Sequence, residues 1–324
     1  MMQNKLGGNA MKKRLVLLLS LASVFAFTAC GNAGGNASVE LADGGTNVSE
    51  EIGNGGDDDP AELVSGRADE PANGEDNGTD ELDNGGNESN GLHISSLADL
   101  ETALIGVQIA TTGQIFVEEN LPNATAAEFP LGADAVMALL VGQVDAVIID
   151  AEPARRFVAA NAGIAILDEI LTSEYYGIAL QHGSPYTAMF NDALDTLREN
   201  GMLYNLMDYW IHEDEEASRY VSPPGTEHPN GTLVMATNAA FEPFEFFEGD
   251  QIVGLDPCLA QAIGDILGYE IIIDDMSFDA IIPAVQAGQA DFGMAGMTIR
   301  DDRLEFVDFT QGYFNSSQVA IVRY

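Results

Sequence analysis

The chain has 324 residues, enough for one or two domains, and sets 52 acidic against 12 basic residues for a formal net charge of −40. Beyond its first thirty residues it contains no lysine, which excludes a Walker A phosphate loop, and the acidic excess argues against binding nucleic acid. His93, His182, His212 and His228 show no metal-ligand spacing, and no Ser/His/Asp or Cys/His grouping emerges, so no metal, cofactor or catalytic residue is expected.

Residues 1–29 read as a signal peptide. Lys12, Lys13 and Arg14 form a charged start, and 15–29 is an apolar run too short to prefer spanning a membrane. The stretch Phe27-Thr28-Ala29-Cys30 resembles the lipobox of bacterial lipoproteins, which implies lipidation at Cys30 and anchorage to the cell membrane. Residues 30–96 are rich in Gly, Asn, Asp and Glu with almost no aromatic side chains, a composition that cannot bury enough apolar surface to order itself. This acidic linker is expected to be a disordered tether averaging roughly 45 Å end to end.

From residue 97 the pattern alternates between strand and helix. Strands are expected at 103–108, 144–149 and 176–181, and helices at 112–119, 134–141 and 153–160. Two further helices, 185–200 and 202–211, are separated by Gly201 as a stop. Residues 212–231 are polar and rich in Pro and Gly, which marks a linker. Alternation resumes with strands at 233–236, 270–273, 290–293 and 318–322, and helices at 257–267 and 280–287. Such a pattern argues for α/β units on largely parallel sheets.

The run Ala290-Asp291-Phe292-Gly293-Met294-Ala295-Gly296 is small and apolar, as expected where backbone comes close to another group. Thr298 then offers a hydroxyl, and Arg303 a planar guanidinium that fits a carboxylate bidentately. A cation beside Gly-rich backbone at a strand end suits capture of a small anion. With Ala236-Thr237-Asn238-Ala239-Ala240-Phe241-Glu242-Pro243-Phe244-Glu245 upstream, these residues resemble the amino-acid-binding proteins of ABC importers, solute-binding protein family 3. The resemblance covers 97–210 and 231–324, in the reverse of the family's order. It implies an α/β, two-lobed, type II periplasmic-binding-protein-like fold, circularly permuted. One lobe would be 97–176 and the other 183–324. The crossing would be 177–182, with 318–324 as a hinge strand beside it.

Residue by residue, the resemblance assigns Arg303 to a ligand's carboxylate, with hydroxyls from Thr298 and Thr112. It assigns Asp150 to the ammonium, assisted by the carbonyl of Gly296. Phe241 and Phe278 would enclose the ligand side chain, whose tip Gln108 and Asn238 would read, favouring a polar or uncharged group. Cys258 falls where the family usually carries an acidic residue and reads as a small apolar helix position.

The function implied is extracytoplasmic capture of a free amino acid by lobe closure and delivery to a separate ABC permease, a non-enzymatic task with no nucleic-acid partner. The alternatives are a cyclohexadienyl or arogenate dehydratase-like enzyme on the same fold, and a sensory module that presents a ligand.

Overall fold

We describe residues 93–324 in a computed structural model of the chain, all within one unit spanning Asp80–Tyr324. The expected signal peptide, Cys30 and the linker as far as residue 92 lie outside the described residues.

After a 3-10 turn at Leu97–Thr102, strand and helix alternate in the expected rhythm. The first stretch runs β1 (Leu104–Gln108), α1 (Thr112–Asn120), β2 (Thr125–Phe129), α2 (Gly132–Leu140), β3 (Ala146–Asp150), α3 (Ala151–Ala160) and β4 (Ile164–Ile166). Two short strands follow, β5 (Glu174–Tyr176) and β6 (Ala179–Leu180), then α4 (Tyr186–Glu199) and α5 (Met202–Trp210). Gly201 separates the two helices at φ 79°, a left-handed conformation that costs glycine little and ends α4 sharply.

The second stretch opens with β7 (Thr232–Thr237), β8 (Ala240–Phe241), β9 (Glu245–Glu248) and β10 (Gln251–Val253). It continues through α6 (Leu255–Leu267), β11 (Glu270–Asp275), α7 (Phe278–Gln286), β12 (Phe292–Gly293), α8 (Asp301–Leu304), β13 (Asp308–Phe309), β14 (Phe314–Ser316) and β15 (Gln318–Arg323).

These strands build two five-stranded sheets, β2-β1-β3-β15-β4 and β11-β7-β12-β6-β13. Within the first, β1 runs parallel to β2 and β3, while β15 lies antiparallel between β3 and β4. Within the second, β7 runs parallel to β11 and β12, while β6 lies antiparallel between β12 and β13. The chain passes between the sheets twice, and the two passages pair as the antiparallel ladder of β5 and β14. This arrangement of two α/β halves joined by two strands is consistent with the two-lobed fold.

One expectation is corrected. Gln318–Arg323 does not lie beside 177–181 within the half formed by 183–324; it pairs with β3 and β4 in the first sheet. Ser316 and Phe314 instead face Glu174 and Tyr176 across the hinge ladder. The physical reason is burial: Val319, Ala320, Ile321 and Val322 are all buried, which needs cover on both faces of a central strand.

Each sheet carries its own apolar packing. Val136, Leu139, Val147, Ile149 and Ile321 form one cluster on the first sheet, and Leu100, Ile105, Val107 and Ile148 form another on its opposite face. A larger cluster joins α4, α5 and α6 to the second sheet through Phe190, Leu194, Leu206, Leu259 and Phe292. Cys258 is half-buried at the edge of this cluster and forms no disulfide. Residues 212–231 form neither helix nor strand but are pinned to α6, where Asp265 accepts from the Tyr220 hydroxyl at 2.8 Å and pairs with His228 at 2.9 Å. Among the described residues no helix is long and apolar enough to cross a membrane.

Candidate functional site

Parallel α/β sheets place side chains and helix N-termini together at the carboxyl ends of their strands, where ligands commonly bind. Here the ends of β1, β3, β7 and β12 converge on one small cavity between the two sheets. From the first sheet come Gln108 at the end of β1, Thr112 at the start of α1 and Asp150 at the end of β3. From the second come Asn238 and Phe241 after β7, Phe278 at the start of α7, Gly296 and Thr298 after β12, and Arg303 in α8. All nine residues singled out from the sequence therefore line the same space. Thr111, Glu245 and Ala295 line it too and were not anticipated.

Arg303 is 7 % exposed. Its guanidinium donates to two backbone carbonyls, Nη1 to Thr298 at 2.9 Å and Nη2 to Ala110 at 3.0 Å, and its Cζ sits 5.4 Å from the centroid of the Phe278 ring. Burial lowers its pKa to about 10, against which the charge of Asp302 works, so the group stays cationic at neutral pH. Neutral partners leave that charge uncompensated by direct contact, which prepares it for an anion. Ala110 holds a positive φ of 61° to offer its carbonyl, uncommon for a residue with a Cβ. Gly296 has φ 52°, and a Cβ there would lie 2.7 Å from the Phe241 ring, so only glycine lets this backbone approach the cavity.

Asp150 is 6 % exposed, lines the cavity, and its side chain makes no cap to α3. It accepts hydrogen bonds from the hydroxyls of Tyr176 and, at 3.2 Å, Ser316. Burial, followed by the negative charge of Glu174, pushes its pKa up to about 6. Beneath the cavity Asp256 accepts from the Gly296 amide at 2.9 Å and the Tyr313 hydroxyl at 2.8 Å, and burial raises its pKa to about 6. Glu245 is 1 % exposed with no donor to either oxygen. Burial and then the neighbouring Asp256 carboxylate drive its pKa well above the usual carboxylate range.

Between the walls, Gln108 Nε2 donates to Asn238 Oδ1 at 3.1 Å, and Asn238 Nδ2 donates to the Met276 carbonyl at 2.9 Å. Behind the hydroxyls stand Glu174, Tyr176 and Gln318, which sequence reasoning missed. Gln318 left a faint signal as the one polar side chain opening a buried apolar strand; Glu174, ahead of the crossing, left none. Among the described residues no group of three or more His, Cys, Asp or Glu side chains could hold a metal ion. The assembled chemistry is one fixed cation, one buried carboxylate, two hydroxyls and two aromatic rings, a set suited to holding a small molecule that bears both charges.

Residues 233–324 match the family model described as bacterial extracellular solute-binding proteins, family 3. The chain is 39 % identical over 100 residues to the arginine-binding extracellular protein ArtP of Bacillus subtilis, covering 31 % of this chain and 39 % of that protein. It is 34 % identical over 96 residues to a probable histidine-binding protein of Neisseria gonorrhoeae, covering 29 % of this chain and 36 % of that protein. Among solved structures, the arginine-bound form of domain 1 from TmArgBP is 35 % identical, covering 29 % of this chain and 81 % of that one, at a TM-score of 0.25. The chain thus spans less than half the length of these curated relatives. Over residues 233–324, the chain is thus similar to family 3 of the bacterial extracellular solute-binding proteins.

Proposed function

We propose that this protein captures a free amino acid outside the cytoplasm and delivers it to an ABC permease. The observation that carries the reading is the convergence of Arg303 and Asp150, from opposite sheets, on one cavity. An α-amino acid carries a carboxylate and an ammonium a few bonds apart. Arg303 takes the first and Asp150, with the Gly296 carbonyl, the second, so the ligand draws the two walls together and stabilises the closed form. Thr298 and Thr112 serve the carboxylate, and Phe241 and Phe278 enclose the side chain. Charge-assisted hydrogen bonds of roughly 1.5–3 kcal/mol each suffice for the ~8 kcal/mol of micromolar affinity.

The neutral pair Gln108–Asn238 favours a polar, uncharged side-chain tip. A cationic tip is the second reading: the buried carboxyl groups of Asp150 and Glu174 act on the guanidinium of Arg303, the buried carboxyl of Glu245 also lines the cavity, and curated relatives carry arginine in their names. The remaining proposals concern the whole chain: cleavage before Cys30 and its lipidation, an acidic tether that from residue 30 stops short of Ile94, which packs into the first sheet's core, rather than extending to 96 as expected, and circular permutation through the 212–231 connection.

Calorimetric titration of the full chain with the twenty amino acids tests the function. At least one is expected to bind near micromolar affinity, and the ratio of L-glutamine to L-arginine affinity decides between the two side-chain readings. Failure of all twenty would overturn the proposal.

A further inference from the structure

A hydroxyl has one proton to donate. Thr112 and Thr298 reach the cavity from opposite walls, and both give that proton to Glu174. Its Oε2 accepts from Thr298 Oγ1 at 2.7 Å and from Thr112 Oγ1 at 3.0 Å. Gln318 Nε2 adds a longer contact of 3.4 Å to the same oxygen and donates to Thr112 Oγ1 at 2.9 Å. Thr172 Oγ1 donates to the other oxygen at 2.6 Å. Glu174 is 7 % exposed and opens β5, one of the two strands joining the sheets. Its carboxylate is therefore solvated by neutral side chains in place of water, and Thr112 and Thr298 supply two of those four contacts.

We propose that Glu174 is a built-in competitor for the carboxylate of the bound amino acid. The inference rests on reading the cavity as an amino-acid site. An incoming carboxylate that takes a threonine proton must take it from Glu174. The glutamate then stays buried with fewer donors, beside a second negative charge in the same confined space. Both effects subtract from the affinity that Arg303 and the hydroxyls would otherwise supply. Glu174 thus holds the binding strength below what the donors allow, which suits a carrier that must release its cargo. It acts through Thr112 and Thr298 and is a positioning residue.

Glu174→Gln tests this, because the amide keeps the shape and removes the charge, so whichever way it turns it holds the threonine protons less strongly and no longer repels a second carboxylate. Calorimetry on the full chain compares L-arginine with L-argininamide and L-glutamine with L-glutaminamide, each amide lacking the carboxylate. The expected result is about tenfold tighter binding of the carboxylate-bearing ligand, the worth of one charge-assisted hydrogen bond at its lower end, with its amide little changed. Glu174→Ala, which removes both oxygens, is expected to move the ratio the same way, and circular dichroism checks that each variant folds. Equal weakening of acid and amide, or no change in either, overturns the inference while leaving the amino-acid reading intact, since wild type still binds. Absence of binding by both wild type and variants overturns the amino-acid reading and the inference with it.

Discussion

Among the described residues Arg303 is the only cation lining the cavity, and its two hydrogen bonds go to carbonyls that cannot neutralise it. Arg303→Ala should therefore cost a bound amino acid about 2–5 kcal/mol, because the ligand carboxylate is left buried and unpaired. Titration calorimetry reads the loss, and unchanged affinity would remove Arg303 from the site. Asp150 sets a different dependence. Its pKa of about 6 means that acid protonates it before ligand arrives, whereas a bound ammonium holds it ionised and lowers that pKa. Affinity should accordingly be level above about pH 7 and fall as pH drops through about 6, by up to about tenfold per unit for one linked proton. Titrations from pH 5 to 8 check the sign; affinity that rises in acid would exclude Asp150 as the ammonium partner. At this scale the sequence was informative because Arg303, Thr298 and Asp150 each stand at a strand or helix end with a recognisable neighbourhood. Glu174 was hidden because the two threonines that donate to it lie 62 and 124 residues away in the chain.

The elements divide in the same way. Strands that read as apolar runs, such as β3 and β7, and helices with a clear buried stripe, such as α4, were legible from local pattern. The missed strands are short or half-exposed: β2 has no fully buried residue, and β8, β9 and β10 form a small antiparallel sheet of their own with mixed polar and aromatic content. The expected single strand over 176–181 is interrupted, since Gly177 and Ile178 turn the chain from the hinge ladder into the second sheet. The placement of β15 could not be read at all, because a strand's sequence states that it is buried but not beside which partner. That partner gives a test. Ile321 is fully buried between β3 and β4, so Ile321→Ala should destabilise the protein by about 2–5 kcal/mol through lost burial and a residual cavity. Urea unfolding measures this, and a loss below about 0.5 kcal/mol would place β15 outside the core of the sheet.

For the molecule as a whole, neither sheet is made from one continuous stretch. The first takes β1 to β4 from residues 104–166 and β15 from 318–323, while the second takes β6 from residues 179–180 and its other strands from beyond residue 231. The two halves are therefore interlocked by strand exchange as well as by the cavity they share. Strand–helix alternation announced the α/β class, but the exchange is a long-range property that no local window contains.

That exchange also governs the order of events at the ribosome. A nascent chain that has emerged only through β5 holds four strands of the first sheet with a gap between β3 and β4, where Asp150 will later pair with Gln318. The sheet cannot close until synthesis has passed residue 323, so its folding is delayed and depends on a contact distant in sequence.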